Sequence, residues 1–209
     1  MQDISDRQQL KRATVRSARS EEPGMASGLQ VSTFGDDTDQ PVRFFIYADV
    51  LQELVKAARY RRENATALLT GQYCVNQRGP FVEVTGFRDM QYLYGDDAVE
   101  MTRPVLLEFL ENRDQHDRVE EQLVGVFAGR PQGQAELDEE TARLHLSLFN
   151  IPFQLALVID GVHDRLAVYA RALEQPFFNA AFSIVEEQQG ECDGEVADKE
   201  NEIAMESER

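Results

Sequence analysis

Hydrolytic and group-transfer sites need imidazoles, thiolates, activated hydroxyls or paired carboxylates held close together. This 209-residue chain has three histidines, His116, His145 and His163, and two cysteines, Cys74 and Cys192. No two histidines have the spacing of a shared metal site, and no C-x-x-C pair is present. The defaults are a buried thiol for Cys74 and no disulfide framework. Ser147 and Ser183 lack a Gly-x-Ser-x-Gly context, and there is no glycine-rich phosphate loop. The acidic run Asp138-Glu139-Glu140 precedes an apolar helical pattern. It reads as a cap and a counter-charge to the helix dipole.

Charge excludes further classes. The chain holds 38 acidic and 21 basic residues, a formal net charge of -17. Such a chain repels phosphate backbones and anionic lipid, so no nucleic acid and no membrane is expected as a partner. No N-terminal secretory signal and no spanning apolar run is evident, which leaves a cytoplasmic expectation. Residues 186–209 carry ten acids and two bases, the composition of a disordered, solubilising tail.

The elements that must position any site follow from periodicity. Residues 1–40 are polar and of mixed charge, and read as a disordered arm that ends in the turn-rich segment Gly35 to Pro41. A domain over 41–187 follows, and then the acidic tail, 188–209. Val42 to Tyr47 predicts a strand. Val50, Leu51, Leu54, Val55 and Ala58 predict a helix over 48–62. Ala65 to Val75 and Phe81 to Arg88, joined by Asn76-Gln77-Arg78-Gly79-Pro80, predict a hairpin. A second helix is expected to start at Thr102-x-Pro104 and to bury Val105, Leu106, Phe109 and Leu110. Leu123 to Phe127 is a buried strand, and Asp138 caps a third helix. Phe153 to Ile159 is apolar enough for a central strand covered on both faces. Leu166 to Ala170 is a last strand, and Phe177 to Ile184 a terminal apolar segment. Tyr92-Leu93-Tyr94 lies in a predicted loop and reads as core packing, with an exposed contact patch as the alternative. The order implies an α/β fold, a mixed sheet sandwiched by helices.

Two motifs narrow this. One is Val124-Gly125-Val126-Phe127 followed by Ala128-Gly129-Arg130-Pro131. The other is Phe149-Asn150-Ile151-Pro152-Phe153-Gln154-Leu155-Ala156-Leu157-Val158-Ile159-Asp160. Together with Leu68-Leu69-Thr70-Gly71 upstream, residues 42–172 resemble the JAMM/MPN family, whose fold is cytidine-deaminase-like. The resemblance implies one zinc ion held by two histidines and an aspartate, a metal-bound water and a glutamate base. Zinc needs neutral nitrogen or anionic oxygen donors at roughly 2 Å.

Each of those positions is altered here. The histidines align with Ala128, which has no donor atom, and Arg130, whose guanidinium has no lone pair. The aspartate aligns with Thr141, a poor zinc ligand. The glutamate aligns with Asn64, which cannot take up a proton; Glu63 beside it would face the other side of a strand. The resemblance therefore implies a pseudoenzyme, with no cofactor, acting as a protein-interaction or scaffold domain. Its partner would be a protein, either a second copy or another MPN-type subunit. Arg130, Thr141 and Asn64 would line the former metal cleft, with Arg130 paired to a carboxylate of the protein or of a ligand. The alternative is a divergent zinc isopeptidase or peptidase with relocated ligands.

Overall fold

A computed structural model describes residues 22–26, 28–60, 64–90, 103–107, 121–133, 135–149, 154–171 and 176–187. Nine strands make one sheet: β1 (Leu29–Phe34), β2 (Arg43–Tyr47), β3 (Ala65–Asn76), β4 (Gly79–Met90), β5 (Gln122–Arg130), β6 (Leu155–Asp160), β7 (Arg165–Arg171), β8 (Phe177–Ala180) and β9 (Phe182–Glu187). Their spatial order is β1-β9-β2-β4-β3-β5-β6-β7-β8. The pairs β2–β4, β2–β9 and β5–β6 are parallel, and the others are antiparallel.

The sheet is mixed, as expected, but the expected sandwich of helices is not what forms. The structure is mainly one curled sheet, with helices α1 (Ala48–Tyr60) and α2 (Glu139–Leu148), a 3-10 turn over Pro23–Met25 and helical residues 103–107. Helix α1 lies against β2, β4, β5, β6 and β9, whereas α2 lies mainly against β5 and β6. The curl has a local cause. Register shifts occur on both sides of β3 at nearly one point, between Leu69 and Thr70 toward β5 and between Thr70 and Gly71 toward β4. Bulges bend and twist a sheet. Gly71 is required there, because a Cβ would stand 1.8 Å from the Glu83 carbonyl oxygen.

The terminal segments account for the rest of the difference. Leu29–Phe34, within the segment read as an arm, is a strand paired antiparallel with β9, from Leu29↔Glu187 to Phe34↔Phe182. The apolar segment after Phe177 supplies both β8 and β9, and β9 inserts between β1 and β2. Glu22 anchors this N-terminal run. Its carboxylate accepts from Arg43 at 2.5 Å, Arg78 at 3.2 Å and Asn76 at 3.3 Å.

Other elements follow their sequence patterns closely. The β3–β4 hairpin turns at Gly79, which holds φ +104. The Asn76 side chain accepts the Arg78 N–H at 2.9 Å and shapes the turn. Every residue of β6 is buried. Helix α1 buries Val50, Leu54 and Ala58, one stripe at four-residue spacing. Ala58 is where α1 meets the sheet most closely. A Cβ on Gly129 would come within 2.9 Å of the Ala58 Cβ, and one on Gly161 within 2.4 Å of its carbonyl oxygen. These two glycines bring α1 down onto the ends of β5 and β6. Cys74 is half-buried rather than buried. Thr102, Phe109, Leu110, His116, Cys192, Glu63, Tyr92-Leu93-Tyr94, Asn150 to Phe153, residues 1–21 and the tail 188–209 lie outside the described residues.

Candidate functional site

Asn64, Ala128, Arg130 and Thr141 come together toward the end of β5. Arg130 is its last residue, and Ala128 lies two residues earlier, fully buried between register partners Thr66 on β3 and Val158 on β6. Asn64 is half-buried and immediately precedes Ala65, the partner of Gly129, so it arrives at the same end of the sheet. Thr141 comes in on α2 and is buried. Two of these residues touch: Arg130 Nη2–H donates to Thr141 Oγ1 at 2.5 Å.

Arg130 is 8% exposed. A guanidinium held that far from water must be matched by acceptors or be very costly. The match comes from α2. Besides Thr141, Nη2 donates to Asp138 Oδ2 in a short ion pair. Asp138 is the N-cap of α2, as its position predicts, and its other oxygen accepts the Thr141 N–H at 2.7 Å. One carboxylate thus closes the helix end and neutralises the buried cation. Sequence reading linked Asp138 to the helix dipole alone; the eight-residue separation from Arg130 gave no sign of the contact.

A second cluster adjoins the first and was not foreseen. In the parallel β5–β6 pair, Arg130 is the register partner of Asp160. The buried Asp160 carboxylate accepts the N–H groups of Val162 at 2.8 Å and His163 at 3.1 Å, and His163 Nδ1–H at 2.8 Å. Burial pushes its acidity toward the neutral form, but these hydrogen bonds prevail and hold its pKa below the usual carboxylate value. Gly133 lies under the His163 ring, since a Cβ there would be 3.2 Å from Cε1. The only signal in the chain was the three-residue spacing of Asp160 and His163 around the Gly161 turn.

The third described candidate, His145, lies on α2. It is 2% exposed and sits between the rings of Phe149, 5.1 Å away, and Phe177, 5.0 Å away. Its Nε2–H faces the Gln154 carbonyl oxygen at 3.1 Å. Burial pushes its pKa down to about 4, so it stays neutral at pH 7. It is a packing residue.

The residues present do not fit zinc. Ala128 offers no donor, Arg130 is a cation, and the Thr141 hydroxyl is occupied by Arg130. Among the described residues, no group of three His, Cys, Asp or Glu side chains is placed to hold a metal ion. No described helix is long and apolar enough to cross a membrane.

No family model matches the chain. No curated protein matches it either. Among solved structures, the solution structure of protein DSY2949 from Desulfitobacterium hafniense is similar to it at 15% identity, over 70% of this chain and 94% of that one, with a TM-score of 0.49. That likeness is too slight to carry a functional argument.

Proposed function

We propose that the chain is a non-catalytic, cytoplasmic protein-interaction or scaffold domain, and that its Phe149 to Asp160 segment records kinship with JAMM/MPN metalloproteases. The proposed kinship concerns that segment and the degenerate site, not the helix-sandwiched architecture. One observation carries this reading. At the end of β5, where the family's second histidine aligns, a buried guanidinium is tied to Asp138 and Thr141 on α2. An internal ion pair thus occupies the ground on which a metal-bound hydroxide would have to be generated. Asn64 offers no carboxylate to move a proton.

The partner is a protein, either a second copy of this chain or another MPN-type subunit. The test is elemental analysis of the purified full chain, a peptidase and isopeptidase assay, and identification of co-purifying proteins. The expected result is substoichiometric zinc, no cleavage and a specific protein partner. Stoichiometric zinc, removed by chelator together with a peptidase activity, would overturn the proposal.

A further inference from the structure

The two edges of the sheet are β1 and β8. An edge strand presents backbone N–H and C=O groups that another extended strand can satisfy, and proteins usually guard such edges with charge, proline or brevity. Strand β8 is guarded: it has four residues and follows Pro176 directly. Strand β1 is not. Leu29-Gln30-Val31-Ser32-Thr33-Phe34 has six residues, no charge and no proline, in a chain of net charge -17. Among the described residues nothing pairs with its outer edge. Phe34, at one end, is 47% exposed and stacks on Phe182 at 5.3 Å.

We propose that β1 pairs antiparallel with β1 of a second copy, joining two sheets across a two-fold axis. This deepens the interaction-domain reading, on which it rests, by naming the surface. The outer edge of β1 calls for an extended backbone. The strand's own pattern favours a copy of itself. Leu29 and Val31 are half-buried, while Gln30 and Ser32 are exposed. Side chains alternate with a period of two, so self-pairing keeps the faces matched when the axis passes by residue 31 or residue 32. In both registers Ser32 meets its symmetry mate directly or on the diagonal. No like charges meet along the strand, and the contact is isologous, so it closes at two copies. Pairing β1 to β8 of another copy would be heterologous and would build rings or filaments rather than a two-fold dimer.

The test is sedimentation of the full-length chain, alone and as Ser32→Lys and Ser32→Glu variants. Ser32 is exposed on the monomer, so both variants should keep the parent's circular dichroism. The wild type should be a concentration-dependent dimer. Each variant alone should dimerise about tenfold more weakly, from like charge across the axis. An equimolar mixture of the two should regain dimerisation as a heterodimer. If both variants unfold, hydrogen exchange of the wild type decides, with β1 amides gaining protection as concentration rises. A wild-type monomer, a dimer indifferent to both substitutions, β1 protection independent of concentration, or open polymers would overturn this. A monomer that still captures a different protein specifically defeats the β1 proposal while leaving the scaffold reading intact.

Discussion

Two of the ion clusters among the described residues are electrostatic mirror images. At the end of β5 the buried partner is the cation: Arg130 has a side chain 9% exposed, and its counter-ion Asp138 is 44% exposed. At the start of β2 the buried partner is the anion: the Glu22 side chain is 5% exposed, between Arg43 at 11% and Arg78 at 55%. In both, one half-exposed partner keeps contact with water and lowers the desolvation cost of the pair. The difference lies in what each removal strands. Losing Glu22 leaves a second nearly buried charge, Arg43, behind. Losing Arg130 leaves Asp138, which water can reach. Stranding a buried charge costs far more than losing the attraction between exposed ones.

The largest effect is therefore expected from Glu22→Ala. Arg43 would keep Asn76 and the Gly79 carbonyl as acceptors but lose its carboxylate. A loss of about 3 to 4 kcal/mol is expected in urea unfolding. A cost under about 1 kcal/mol would show that Arg43 rehydrates and that the contrast between the clusters is false.

Acid provides the next test, through a residue of α2 that carries no charge at neutral pH. His145 has a folded pKa of about 4 against an ordinary 6.5, with burial as the first cause. Between those values the unfolded chain binds the proton and the folded chain does not. Stability is therefore full above about pH 6.5 and falls as pH drops toward 4, by about 3 kcal/mol. Unfolding free energies measured across that range should show the decline, and His145→Gln should flatten it. An unchanged slope in the variant would assign the decline to other groups.

Asp138→Ala should cost less, about 2 kcal/mol: it strands Arg130 and removes a helix cap, but the attraction lost is to a half-exposed carboxylate that water already screens. Calorimetry of the two alanine variants side by side ranks the clusters. If Asp138→Ala proves the more damaging, burial of the stranded Arg130 outweighs the screening of Asp138 by water. The smallest effect is expected for Arg130→Met, within about 1 kcal/mol, because an apolar chain of similar length fills the same space without a charge to desolvate. A large loss there would mean that Arg130 is the chief organiser of α2.

How far the chain could be read in advance differs between the same two regions. The site at β5 was legible in its parts. Arg130 was singled out from its residue type and its place after an apolar strand. The need for a carboxylate partner followed from the cost of a buried guanidinium. Asp138 was seen as a cap because capping depends on residues three apart. Its second role was hidden, since a loop brings it back to β5. The Glu22 cluster had no local signature. Its partners lie 21 and 56 residues away, on β2 and the hairpin turn. Strand β1 was missed for a related reason: six uncharged residues with mixed exposure become a strand only because β9 is there to pair with them.

Local physics settled the hairpin turn at Gly79, the amphipathic stripe of α1 and the fully apolar β6, because each depends on neighbours a few residues apart. The overall architecture was decided at long range. The insertion of β9 between β1 and β2 and the twin bulges at Gly71 depend on partners distant in the chain. Backbone hydrogen bonding and close backbone approach make those choices. They turned the expected helical sandwich into one curled sheet.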